Sequence, residues 1–267
     1  TQKRSGIEYY IDNELLKKYK EYDLWSDNQI YIIRLYLTNL CENNVISDCE
    51  FFINRDKYPC MSSNASGEMP VLSFVTNNLY NDIAIPSTID MLLSENRFET
   101  APWKSRLDIA YFRGIMPSDI IVEDLHQRTV LMDLSRRYEN NDNFYINFMK
   151  KEVLPFMSNS INTPPNTETF NLKEIMRYKY LIAIDSYSGC SEMSLFLKVG
   201  AVILRVKSHS NYRLWYDDKL IPYDSKQKNE GIANYVHIDG DMSNLESMTE
   251  WLNRHPKIAS KIAENAR

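Results

Sequence analysis

"YLIAIDSYSGCSEMSLFLKVGAVILRV", residues 180–206, is the stretch that decides the fold class. An apolar run from Tyr180 to Ile184 stops at Asp185, and small polar residues follow: Ser186-Tyr187-Ser188-Gly189-Cys190-Ser191. A short segment with apolar residues at helical spacing comes next, and then a second β-branched run from Ala201 to Val206. Two continuous apolar runs joined through a helix are the pattern of parallel strands covered on both faces. The turn between them sets free backbone N–H groups and the start of a helix at one edge of a sheet, where phosphate is favoured. Many such turns use Ser and Gly only to cap the helix, so the turn alone leaves both readings open.

Working outward, the C-terminal side continues the α/β pattern. "YVHI" is strand-like, and "NLESMTEWLNRHP" and "KIASKIAENAR" are helical by their period. On the N-terminal side, "DIAYFRG" is a strand ending in Gly114, and "VEDLHQRTVLMDLSRRYE" is a helix. A loop-rich stretch with Pro155, Pro164 and Pro165 follows. Further upstream, "CEFFIN" and "PVLSFV" read as strands, while "NELLKKYKEYDLW" and "NQIYIIRLYLTNLCENN" read as helices. "SENRFETAPWKSR" is polar and marks a seam near residues 100–106 between two α/β halves.

Bulk properties narrow the class. With 267 residues the chain is long enough for a buried core, and its 43% hydrophobic and 25% charged content is that of an ordinary globular protein. Lys+Arg total 31 against Asp+Glu 36, a net charge of −5 without an arginine-rich run, which argues against nucleic acid as the main partner. No apolar stretch approaches the length of about 20 residues that a membrane span needs. Cys41, Cys49, Cys60 and Cys190 fit no zinc spacing, and the four histidines are scattered. The chain starts at Thr1 with no visible signal peptide, so a piece of a longer protein is expected and the compartment stays open. Asp239-Gly240-Asp241 imitates a metal-binding DxD pattern but reads as a turn before the last helices, so no metal is expected. Trp215, Tyr216 and Trp251 read as core aromatics, and Asp82 and Asp108 as solvated carboxylates.

Eight or so segments agree in order and spacing with one known family. They include "FFINRDKYP", "MPVLSFV", "YNDIAIP", "PWKSRLDIAYFRG", "HQRTVLMDLS", "RYKYLIAIDSYSGCSEMSLFLKVGAVILRV", "YRLWYDDKLIPY" and "NYVHIDGDMSNLESMTEWL". The chain resembles the CAP10/Rumi-like glycosyltransferases, glycosyltransferase family 90, from about residue 45 to the end. The resemblance implies a GT-B-like α/β fold, two Rossmann-like domains facing across a cleft. Residues 1–105 would form the acceptor-side domain and residues 106–267 the nucleotide-sugar domain, with room for the terminal helices to pack back on the first. It also implies inverting, metal-independent transfer of glucose or xylose from a UDP-sugar to a hydroxyl of a glycan or protein, with no cofactor beyond that donor.

Carried over residue by residue, the resemblance assigns Arg113 and Gly114 to the strand end at the donor site and Arg128 to the donor phosphates. Tyr187, Ser188, Gly189, Cys190, Ser191 and Glu192 match the segment that wraps the diphosphate. Two positions depart from the family pattern. Keeping Asn54 and Pro59 in register sets Lys57 at the family's general-base position and Asp56 one residue early, so either a bulge re-aims Asp56 or the usual base is missing. Asp56 is the candidate base. Glu192 stands where the family commonly has an arginine. Two functions are therefore expected: an active transferase, or a degenerate relative that binds a glycan or a protein.

Overall fold

The computed structural model describes residues 2–4, 7–9, 24–43, 45–46, 49–54, 56, 58–64, 69–95, 100–115, 127–149, 172–186, 188–190 and 192–267. The N-terminal elements are β1 (Gln2–Arg4) and β2 (Ile7–Tyr9), an antiparallel pair, followed by α1 (Leu24–Glu42). Next come the short strands β3 (Phe52–Ile53), β4 (Val71–Ser73) and β5 (Ile83–Ala84), and then α2 (Thr88–Glu95). These three strands form a parallel sheet in the order β3-β4-β5.

The second sheet is built after the seam. Its elements are β6 (Leu107–Ile115), α3 (Gln127–Arg137), β7 (Phe144–Met149), α4 (Leu172–Ile175), β8 (Tyr178–Ala183), α5 (Met193–Val199), β9 (Val202–Val206), β10 (Val236–Ile238), α6 (Leu245–Arg254) and α7 (Pro256–Ala266). All five strands are parallel, in the spatial order β10-β9-β8-β6-β7. The chain leaves β6 for β7 on one side, then crosses back to β8 on the other. That reversal creates a crevice at the carboxyl ends of β6 and β8, where ligands bind in open α/β sheets.

The pattern of apolar residues explains the layers. Every residue of β8 is buried, as a strand covered on both faces requires. One face packs Ala110, Phe112, Tyr180, Ile182, Val202 and Leu204 against Leu131 of α3 and against α6 and α7. The other packs Tyr111, Leu181, Ala183 and Ile203 against Ile175, Met193, Phe196 and Val199. Helix α7 lies against β9 and α5. Strand β7 falls in a stretch where the sequence suggested only loop. Phe144 is buried but Tyr145 and Asn147 are exposed, as befits an edge strand covered less fully. The stretches "NELLKKYKEYD" and Pro155 to Pro165 lie outside the described residues.

Arg106 fastens the seam. It is buried, and its guanidinium donates to the carbonyls of Ala101 (3.0 Å), Gly200 (2.9 Å) and Val199 (2.7 Å). The last two are carbonyls at the C-terminal end of α5, where a positive charge also meets the negative end of the helix dipole. Gly200 closes the same helix at φ 64°, a left-handed conformation that glycine adopts without strain. The two sheets are joined through α2 packed on α5, and through Thr76 and Arg213, which exchange both backbone bonds (3.0 and 2.8 Å). Trp215, expected in the core, is instead 42% exposed and donates from Nε1 to Asp90 (3.1 Å), a polar tie between the halves. No helix among the described residues is long and apolar enough to cross a membrane.

Candidate active site

The crevice between β6 and β8 brings together residues distant in sequence. Gly114 is near the end of β6, and a methyl group there would lie 3.1 Å from Nη1 of Arg128 and 2.7 Å from the Phe112 ring. A side chain larger than hydrogen would therefore displace the Phe112 ring and crowd Arg128. Arg128, in the first turn of α3, is only 5% exposed. Its Nε donates to the carbonyl of Asp185 (2.9 Å), and its guanidinium lies 5.6 Å from the centre of the Phe112 ring. Arg128 thus pins the exit of β8 to the start of α3.

Arg113 takes the other face of the sheet, as the alternation of a strand dictates. It binds Glu174 at 2.7 Å, beside a stack of Tyr145, Tyr111 and Tyr178 that runs across three strands. Gly114 and Arg128 therefore share the crevice wall, while Arg113 sits behind it.

The turn after β8 satisfies most of its own polar groups. Ser186 N–H donates to the Ser188 carbonyl (3.1 Å) and Met193 N–H to the Cys190 carbonyl (3.2 Å). The Asp185 carboxylate accepts from the Cys190 N–H and the Ser208 hydroxyl, with Arg205 and Arg128 nearby. Burial dominates its titration and holds the carboxyl up at about 6, against the lowering effect of those donors and cations. Cys190 is buried, and its thiol lies 3.6 Å from a Glu192 carboxylate oxygen. Burial, then the charges of Glu192 and Asp185, push that thiol's pKa up. The space over Gly189 is bounded by Val75, Tyr212 and Leu214. Tyr187 and Ser191, like Lys57, lie outside the described residues.

Asp56 sits on an exposed turn of the small sheet. Asn54 shapes that turn: its side chain accepts from the Asp56 N–H (2.9 Å) and donates to the Tyr58 carbonyl (2.7 Å) and the Ser73 hydroxyl (3.0 Å). Ser73 donates in turn to Asp82 (2.5 Å), which also receives the N–H groups of Cys60 and Met61. Asp82 is thus buried and structural, not a solvated carboxylate. Burial alone would raise its pKa, but these donors outweigh it and hold the group below the usual carboxylate range. Tyr58 is near enough to Tyr212 for their hydroxyls to interact electrostatically, which brings the Asp56 turn toward the large sheet.

Two cavities open beside the segment after β9, of about 280 and 480 Å³, sharing Lys207, Ser208 and Asn211. Arg205, Arg213 and His237 line the first, and Gln127, His209 and Asp241 line the second. The sequence carries a signal for this wall that the family pattern does not point to: "RVKSHSNYR" holds three permanent cations and a histidine within nine residues. Asp241 accepts from the Ser243 N–H (3.0 Å) and hydroxyl (2.8 Å), forming the turn ahead of α6.

Comparison with known proteins places the sequence among glycosyltransferases and viral proteins. An uncharacterized protein, 179R, of Invertebrate iridescent virus 6 is 22% identical, over 96% of this chain and 28% of its own length. Protein O-glucosyltransferase 1 of Homo sapiens is 21% identical over 98% of this chain and 66% of its own, and protein O-glucosyltransferase 2 of Danio rerio 21% over 89% and 48%. The chain thus spans between about a quarter and two thirds of the length of these relatives. The family description that matches, over residues 16–267, leaves the assignment in no doubt: the chain belongs to glycosyl transferase family 90.

Proposed function

We propose that the chain is the catalytic part of an inverting, metal-independent glycosyltransferase that moves glucose or xylose from a UDP-sugar to a hydroxyl of a glycan or protein. The observation that carries this reading is the crevice itself. A switch point in a parallel sheet, walled by Gly114 and the turn after β8, lies near two cavities, the first lined by Arg205, Lys207 and Arg213. The names of the vertebrate relatives support glucose as the sugar and a protein hydroxyl as the acceptor. The small parallel sheet and the large one would form the two Rossmann-like halves of a GT-B arrangement, 1–105 and 106–267, with the cleft between them.

In this mechanism the acceptor oxygen attacks the anomeric carbon of the donor as its proton passes to Asp56. The bond from that carbon to the β-phosphate oxygen breaks, and its electron pair leaves with the diphosphate. Cations at the carboxyl edge of the sheet stabilise the charge that builds there. Arg128 would act by holding the turn after β8 in shape, with Ser188 to Cys190 packed beside the donor site.

The carboxylates of Asp185 and Glu192 beside that floor favour one second reading, a degenerate relative that binds a glycan or a protein. Thermal denaturation with UDP, UDP-glucose and UDP-xylose separates the two, because a ligand bound only to the folded state raises the melting temperature. A rise with UDP, together with release of UDP from one of the two sugars, is expected. No rise with any nucleotide would select the binding module.

A further inference from the structure

Two neighbouring segments at the carboxyl edge of the large sheet, the turn after β8 and the chain leaving β9, carry opposite charge. On the side of the turn after β8 stand Asp185 and Glu192, and the N–H groups of Ser186, Cys190 and Met193 already bond to acceptors of the same turn. One strand over, the chain leaving β9 and β10 presents Arg205, Lys207, Arg213 and His237 around the cavity of about 280 Å³. None of the described residues lining that cavity is acidic.

The cations on this side differ in how far they are neutralised. Arg205 is held bidentately by Asp217 (2.9 and 3.0 Å) and lies 5.7 Å from the centre of the Tyr235 ring, so its position is fixed and part of its charge is met. Among the described residues, neither Lys207 nor Arg213 has a carboxylate within 4.0 Å. Arg213 is also anchored through its backbone to Thr76, which ties this wall to the small sheet. The wall is continuous with the crevice, because Ser208 donates to Asp185 and Arg205 faces the same carboxylate. An anion at this edge of the sheet would meet repulsion at the turn after β8 and unanswered positive charge at the segment after β9.

We infer that the donor's diphosphate is held by the wall after β9, with Lys207 and Arg213 as its principal contacts and Arg205 and His237 beside them, instead of by the turn after β8. This rests on the donor-binding reading above and moves its charged subsite by one strand. The uridine and sugar then extend from that wall toward the carboxyl ends of β6 and β8. The ligand class this wall selects is an inorganic or nucleoside diphosphate.

Isothermal titration of the chain with pyrophosphate, UDP and uridine tests the assignment. The comparison is between the unaltered protein, the double variant Lys207→Gln/Arg213→Gln, and Lys257→Gln, which changes an exposed lysine on α7. Both altered side chains of the double variant are exposed, so its melting temperature should match that of the parent. The double variant should lose at least tenfold in affinity for pyrophosphate and UDP and show a flatter dependence on salt, while Lys257→Gln changes neither. Uridine should bind all three proteins alike. Unchanged UDP affinity in the double variant would overturn the inference while leaving donor binding intact. Pyrophosphate binding that is lost in the double variant, without UDP binding to any protein, would uphold the anion wall and remove the donor reading. Failure of pyrophosphate and UDP to bind the parent protein would sink both.

Discussion

The two turns at the carboxyl edge of the large sheet have the same origin and opposite character. Each follows a buried parallel strand, β8 or β9, and each carries a charged side chain close to its start, Asp185 or Lys207. The turn after β8 is compact and acidic, and it is closed on itself by bonds from its own N–H groups to its own carbonyls and to Asp185. The segment after β9 is open, basic and exposed, with Lys207 and Arg213 turned toward a cavity. Small residues make room, but they do not by themselves make an anion site. What attracts an anion is a donor or a charge that the protein has not already satisfied.

The largest effect expected from this division falls on chemistry, outside both turns. If Asp56 removes the acceptor proton, Asp56→Asn should lower the rate of sugar transfer by about 10²–10⁴-fold and leave UDP affinity unchanged. Initial rates and titration on the same preparation check both halves. A fully active variant would hand the proton to a different carboxylate.

Next in size is Arg128→Ala, because this buried guanidinium pins the acidic turn to α3. Losing hydrogen bonds from a charged group to buried carbonyls should cost about 2–4 kcal/mol of stability, read by urea denaturation. Arg128→Lys should recover only part, since an ammonium lacks the fork that reaches two carbonyls. If Arg128→Ala is as stable as the parent but fails to bind UDP, the arginine contacts the donor directly and the contrast between the two turns weakens.

Asp185 supplies the pH-dependent part of the contrast. The folded chain holds its proton up to about pH 6, whereas an unfolded aspartate releases it near 4. The folded state is therefore favoured at acid pH and loses that advantage as the pH rises through the interval from about 4 to about 6. The groups facing it are Arg128 from α3, Arg205 from β9, Ser208 from the basic segment and Cys190 from its own turn, with Tyr212 also close. An ionised Asp185 beside the donor opposes the diphosphate, so UDP-glucose should bind several-fold more tightly as the pH falls through about 6. UDP-glucose suits this test because its esterified diphosphate keeps the same charge over that range. Asp185→Asn should bind more tightly at pH 7.5 and lose this part of the dependence, and any contribution from His209 or His237 is common to both proteins. Parallel pH profiles for the two proteins would show that Asp185 does not feel the ligand.

Much of this was legible in the sequence, for identifiable reasons. The run through Tyr180 to Ile184 and the run from Ala201 to Val206 are buried on both faces, so their apolar content was continuous and unambiguous. Strand β7 was hidden because an edge strand alternates, and Asn147 and Tyr145 made it look like loop. The family motifs brought Gly114, Arg128 and the turn after β8 to attention as separate positions. That Arg128 would spend its donors on backbone carbonyls, and that Arg113 would turn to Glu174, depends on side-chain direction across a sheet, which spacing alone does not settle. The basic wall escaped notice because the cations of 205–213 are interleaved with small, polar and aromatic residues, and because a net charge of −5 conceals a local excess of cations.

The smallest effect bears on the residue that most clearly departs from the family pattern. The Glu192 carboxylate reaches back toward the Cys190 thiol at 3.6 Å, so its charge lies at the rim of the acidic turn. It is only partly buried, and solvent and salt screen it. Glu192→Gln keeps the shape and removes the charge, and should raise UDP affinity about two- to fivefold at low salt and less at high salt. That modest, salt-sensitive gain is what a carboxylate opposite an anion would produce if the diphosphate lies across the crevice on the basic wall. A gain of a hundredfold would mean that the diphosphate sits against Glu192, on the turn after β8. A loss would mean that the carboxylate accepts a hydrogen bond from the donor, so that the acidic turn recognises hydroxyl groups while the basic segment holds the charge.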